Sequence, residues 1–124
     1  MKTLLFIPFL FMCSMVIGQS SKIIGNPIKI GKLKVAQYDF PTSMKWNDAK
    51  KACADLGSGW RLPTKDELSL LYENKDKIGG FADNFYWSST EFGNANAWLQ
   101  YFDDGYQNFN DKNLSGDVRA VRAF

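Results

Sequence analysis

Four residues, Thr64-Lys65-Asp66-Glu67, mark a helix start at the middle of the chain. They fit the capping box S/T-x-x-E. In it the Thr64 hydroxyl accepts from the Glu67 backbone N–H, and the Glu67 carboxylate accepts from the Thr64 N–H. Asp66 and Glu67 also lie in the first turn, where the helix dipole favours negative charge. Pro63 forces an extended entry. Leu68, Leu71 and Tyr72 then supply a buried face, and the helix is expected to fray near Asn74. The longer stretch "GWRLPTKDEL" resembles a catalytic constellation in composition. Its spacing makes it a scaffold corner, with Pro63, Thr64 and Glu67 in the helix start and Trp60 and Arg61 beside it as core and ion-pair residues.

An earlier helix is marked by Trp46, Ala49, Cys53 and Leu56, at spacings of three, four and three. Pro41-Thr42-Ser43 offers capping hydroxyls ahead of it, and Gly57 offers a stop. Before it, Ile28 to Tyr38 alternates apolar and polar residues around a Gly31-Lys32 turn, as one or two strands do. After Gly79-Gly80, "FYWSS" (Phe85 to Ser89) and "AWLQYF" (Ala97 to Phe102) are aromatic-rich strand runs. Asp104-Gly105 signals a hairpin between "AWLQYF" and "YQNF". "NDKNLSG" is a polar loop, and "DVRAVRAF" closes the chain as a strand. Strand, helix, helix, strands is an α+β order.

Residues 1–18 have the pattern of a secretory signal peptide: Lys2, then an apolar run from Leu4 to Ile17, with cleavage expected before Gln19. An uncleaved anchor is the alternative, and lipidation at Cys13 a further one. Residues 19–27 form a flexible lead-in, and residues 28–124 a single domain. The chain is thus expected outside the cytoplasm, in the periplasm, at the cell surface or secreted, with no membrane span left after cleavage. Removing Lys2 from the 15 basic residues leaves 14 against 13 acidic ones. That balance gives no electrostatic case for nucleic acid. The chain has no histidine, and Cys53 is the one cysteine left after cleavage. This removes the usual general base, the usual zinc ligand and any Ser-His or Cys-His pair. No catalytic residue, no metal and no cofactor is expected.

Four pieces, "WNDAKKACADLGSGWRLPTKDELSLLY", "YWSSTE", "AW…F…G" and "VRAVRAF", occur in an order that resembles the Lcl C-terminal domain-like family. This is a bacterial family of unknown function, similar to the fibrobacter major paralogous domain, and the likeness runs from Ile28 to Phe124. The resemblance implies a C-type lectin-like fold. Such a fold has two helices early, an antiparallel sheet closed by paired N- and C-terminal strands, and a long polar loop region later. The closing pair would be Leu33–Tyr38 with Val118–Phe124. Relatives are exported, and some bind glycans as adhesin tips.

Several chemistries can be weighed on the residues. A calcium site would draw on Asp103, Asp104, Asn108, Asn110, Asp111 and Asn113, but polar turns use the same residue types for backbone reasons. Asp103 and Asp104 are neighbours, so on a strand they face opposite sides and cannot flank one glycosidic bond. The formylglycine chemistry of sulfatase-modifying relatives needs cysteines that the C-terminal half lacks. What remains is a binding face. Tyr101, Tyr106 and Phe109, with Asn94, Asn96, Asp103, Asp104, Gln107, Asn108 and Asn110, mix aromatic rings with polar groups near turns, as surfaces that bind sugars or proteins do. A glycan or a surface protein is the expected partner. A structural domain that self-associates as a homo-oligomer is the alternative. Trp60, Trp87 and Trp98 are expected in the core. Arg61, Arg119 and Arg122 are expected in structural ion pairs with Glu67, Glu91 and Asp39.

Overall fold

The computed structural model describes residues 22–124. The signal-peptide expectation over residues 1–18 lies outside the described residues. The elements are β1 (Ile28–Ile30), β2 (Leu33–Val35), α1 (Trp46–Ala54), α2 (Lys65–Glu73), α3 (Lys75–Ile78), β3 (Phe85–Phe92), β4 (Asn96–Tyr101), β5 (Gln107–Asp111) and β6 (Val121–Ala123). They form two antiparallel three-stranded sheets, ordered β1-β2-β6 and β3-β4-β5. The expected pairing of an N-terminal strand with the C-terminal one is present, in the β1-β2-β6 sheet, separate from β3-β4-β5. In it Leu33 lies opposite Ala123 and Val35 opposite Val121. The contact runs on past the strands, with Ala36 N–H donating to Ala120 O at 3.0 Å and Phe40 N–H to Val118 O at 3.1 Å.

The lead-in is tied down where it is described. The carbonyls of Ile23 and Ile24 accept from the Tyr38 and Gln37 N–H groups, so residues 23–24 are not loose. The polar loop after β5 leads into an irregular strap, residues 112–120, that runs to β6. Gly93 (φ 75°) turns the chain between β3 and β4, and Gly105 (φ 81°) turns it between β4 and β5. Both φ values are easy for glycine and strained for other residues.

Two cores lie on opposite faces of β3 and β4. On one face Trp87 and Leu99 pack with Trp46 and Cys53 of α1 and with Trp60 and Leu62. On the other, Tyr86 packs with Leu68 and Leu71 of α2, with Phe102 and with Val35 and Val121 of the second sheet. Strand alternation explains this: Tyr86 and Trp87 are neighbours and point opposite ways. The two cores and the two sheets described here are all built from residues 22–124.

The box at Thr64 closes as the spacing predicts. Glu67 N–H reaches Thr64 Oγ1 at 3.2 Å, and Thr64 N–H reaches Glu67 Oε1 at 2.9 Å. Arg61 adds two bonds to the same carboxylate, at 2.7 and 3.0 Å. The capping expected from Thr42 or Ser43 at α1 does not occur. The residue at its N-cap is Lys45, whose side chain makes no capping bond. The Trp46 N–H is satisfied instead by Lys112 O at 3.0 Å, a cap supplied by a distant strap of chain.

Arg119 is 1% exposed. Its Nε donates to Asp39 Oδ1 at 2.7 Å, and its guanidinium also reaches the carbonyls of Ala36 and Gly79, each at 3.2 Å. The Phe81 ring lies 4.2 Å from its Cζ. The Tyr86 hydroxyl donates to the other Asp39 oxygen and accepts from Ala82 N–H. Burial pushes the Asp39 carboxyl above its ordinary value, and the Arg119 charge opposes that rise. Burial, reinforced by Asp39, holds the Tyr86 hydroxyl protonated. The other two arginines differ. Arg61 pairs with Glu67, whereas Arg122 is exposed and takes part in no ion pair among the described residues. Glu91 pairs with Lys112.

Arg119→Ala leaves Asp39 buried without its cation, and the expected cost is about 3–5 kcal/mol in urea unfolding. A loss below about 1 kcal/mol would contradict the clamp. Glu67 gives a pH signature. Its carboxyl is held below the ordinary 4.5, first by the Arg61 hydrogen bonds. Its contribution is therefore complete above that ordinary value and is lost as pH falls through the folded one. Glu67→Gln is expected to flatten this acid-side decline in a melting-temperature series, with a neutral-pH change within about 1 kcal/mol because the pair is partly exposed.

Candidate recognition site

The β4–β5 hairpin carries most of the expected site, and its register decides which side chains meet. Leu99 lies opposite Asn108 and Ala97 opposite Asn110; Trp98 lies opposite Phe109 and Gln100 opposite Gln107. Residues directly opposite share a face. Tyr101 continues the Leu99 face, and its N–H donates to Tyr106 O at 2.9 Å. The Tyr101 and Tyr106 rings lie 6.4 Å apart and nearly parallel, at 26°. Tyr106 is 59% exposed.

Beside this pair opens a cleft of ≈ 330 Å³ lined by Tyr101, Asp103, Asn84, Asp83, Asp117 and Ser43, among others. Asn84 Nδ2 donates to Asp117 Oδ2 at 3.2 Å, which orients that carboxylate. Gly116 also lines the cleft, and a Cβ there would sit 2.5 Å from the Phe85 ring and 2.8 Å from Trp87 Nε1. The wall therefore has room only for glycine. The arrangement offers ring faces beside carboxylate, amide and hydroxyl groups, which is hydrogen-bonding and stacking chemistry.

Tyr101, Asp103 and Tyr106 are brought together; the other expected ligand residues are not. Asp104 shapes the turn, with its Oδ1 accepting from Tyr106 N–H. Gln107 is on the opposite face, donating to Lys65 O and to Gln100 Oε1. Asn94 sits at the far β3–β4 turn, where its carbonyl accepts from Lys112. Asn96 begins β4, about 16 Å from Tyr101 by strand rise, on the Trp98 face. The Asn108 side-chain oxygen accepts from Phe109 N–H at 2.9 Å, and that of Asn110 from Asp111 N–H at 2.8 Å. These two N–H groups point away from β4, because the hydrogen-bonded pairs are in phase with Tyr101–Tyr106. Asn108 and Asn110 thus cover the open edge of β5.

Trp98 is a correction. It is half-buried on the α2 face of β4, beyond the edge of the core there, with its ring 5.9 Å from Phe92 and 5.4 Å from Phe109. Phe92 and Phe109 stack at 3.8 Å, and Lys65 Nζ lies 3.5 Å from the Trp98 ring centre. The alternation Ala97-Trp98-Leu99 carried this signal, since Trp98 cannot share a face with two core neighbours. Trp60 and Trp87 are buried. Asp117 and Asn84 had no sequence signal. The oxygens considered for calcium bond backbone N–H groups at Asp103, Asp104 and Asp111. Among the described residues no group of three His, Cys, Asp or Glu side chains is placed to hold a metal ion. Cys53 is fully buried, and burial pushes its thiol up to about 12.

The Lcl C-terminal domain family model matches residues 25–122. The chain belongs to the Lcl C-terminal domain family. No curated protein sequence matches it. Solved structures do. This Lcl C-terminal domain superposes on botrocetin with a TM-score of 0.63 at 12% identity, covering 80% of this chain and 96% of botrocetin. EMS16, an antagonist of the collagen receptor integrin α2β1, gives 0.60 at 12% identity, covering 81% and 98%. The snake venom toxin convulxin gives 0.55 at 12%, covering 81% and 95%. The Lcl C-terminal domain therefore has the C-type lectin-like fold. Botrocetin is also solved in complex with a von Willebrand factor A1 domain.

Asn108→Ala with Asn110→Ala uncovers two edge N–H groups. Light scattering is expected to show concentration-dependent association of the double variant beyond that of the parent. Identical masses at all concentrations would contradict the edge role.

Proposed function

We propose that this domain is an exported, non-enzymatic recognition module that takes a surface glycan at the cleft beside Tyr101 and Tyr106. The observation that carries this is the near-parallel tyrosine pair, with half-buried Tyr101 lining the cleft and exposed Tyr106 stacked beside it. The apolar face of a sugar ring stacks on an aromatic ring, and its hydroxyls bond to carboxylates and amides such as Asp103, Asp117 and Asn84. A non-enzymatic role is supported by the chain's lack of histidine and by the burial of Cys53, which keeps its thiol protonated. Botrocetin, solved in complex with a von Willebrand factor A1 domain, and EMS16, an integrin antagonist, share this fold, so a protein ligand is the second outcome of the test. Export rests on the apolar segment from Leu4 to Ile17.

Tyr106→Ala and Asp103→Asn are each expected to weaken glycan-array binding about tenfold while leaving the melting temperature in place. A blank array and a blank envelope pull-down with folded protein would contradict the proposal. A self-assembling role has one observation in its favour, the stacked Phe92–Phe109 pair, 46% and 37% exposed. A strict monomer in light scattering at high concentration would remove it.

A further inference from the structure

We propose that the outer face of the β1-β2-β6 sheet docks on an anionic phospholipid surface. The sheet's inner face is apolar, made by Ile30, Leu33, Val35 and Val121. Strand alternation puts Lys29, Lys34 and Arg122 on the other side. The register sets them in one rank: Lys29 lies opposite Lys34, and Lys34 opposite Arg122. Like charges directly opposite weaken a sheet. None of the three enters an ion pair among the described residues. Lys32 adds a fourth cation in the turn between β1 and β2. The chain as a whole carries a formal charge of only +2, so this rank is a local concentration and not a general basicity.

An aromatic ring completes the face. The amines of Lys29 and Lys34 lie 4.7 and 5.1 Å from the Phe124 ring centre, and Phe124 is 63% exposed. A ring flanked by amines suits the headgroup boundary, where the ring enters the acyl edge and the amines meet phosphates.

The test is co-sedimentation of residues 22–124, first checked for cooperative thermal unfolding, with phosphatidylcholine vesicles, with or without phosphatidylglycerol. Binding is expected only with phosphatidylglycerol, and it is expected to fall as salt rises. The triple variant Lys29→Gln, Lys34→Gln, Arg122→Gln is expected to bind about tenfold or more weakly, with a melting temperature equal to or above the parent's because repulsion is relieved. If it fails to fold, Lys29→Gln with Arg122→Gln, both exposed, is measured instead. Phe124→Ala is expected to weaken binding without changing its salt dependence, and Tyr106→Ala to leave it unchanged. Equal binding to phosphatidylcholine alone would overturn the proposal. So would undiminished binding by the folded variant, or binding to a soluble sulfated polysaccharide with none to vesicles.

Discussion

The buried bond between Arg119 and Asp39 joins parts of the chain that are 80 positions apart. Arg119 belongs to the strap that leads into β6; Asp39 follows β2. Bonded to each other, they hold the two ends of the domain in register where β2 and β6 pair. The Arg119 side chain then reaches the Gly79 carbonyl, so the exit of α3 is fixed by the same group. Tyr86 brings in β3 through its hydroxyl. One guanidinium and one carboxylate therefore fasten both sheets and the helical segment. Desolvating the pair is expensive, and the structure meets that cost with carbonyls and an aromatic face around the cation.

With the frame so fixed, the central sheet is buried on both faces at Tyr86–Ser88 of β3 and at Leu99 and Gln100 of β4. The β5 edge and the hairpin tip reach beyond the helices. This is where aromatic rings become exposed, on both faces: Tyr106 by Tyr101 on one, Phe109 by Phe92 on the other. The cleft arises where the hairpin tip meets the strap at Gly116 and Asp117. Its polar wall comes from segments far apart in sequence, and the small glycine lets them approach.

Local chemistry was legible in the sequence, and long-range assembly was not. The capping box at Thr64 and Glu67 depends on four consecutive residues, and it formed as spaced. The helical face of Trp46, Ala49 and Cys53 depends on periodicity, and all three are buried. The cap of α1 was missed because its acceptor is the Lys112 carbonyl, 66 positions away. Trp98 was misplaced because residue type outweighed alternation. Asn108 and Asn110 look like ligand residues by type, yet their oxygens bond the next N–H along the edge. Asp117 joined Asp103 only through folding. The proximity of Tyr101, Asp103 and Tyr106 was legible because the Asp104-Gly105 turn brings them together locally.

The proposed recognition role of the cleft is tested most directly by backbone amide NMR shifts on titration with the saccharide that binds best on an array. Shifts are expected to concentrate at Asn84, Tyr101, Asp103, Tyr106 and Asp117. Shifts centred instead on Asn94, Asn96 and Asn110, at the other end of the hairpin, would contradict the assignment of the site.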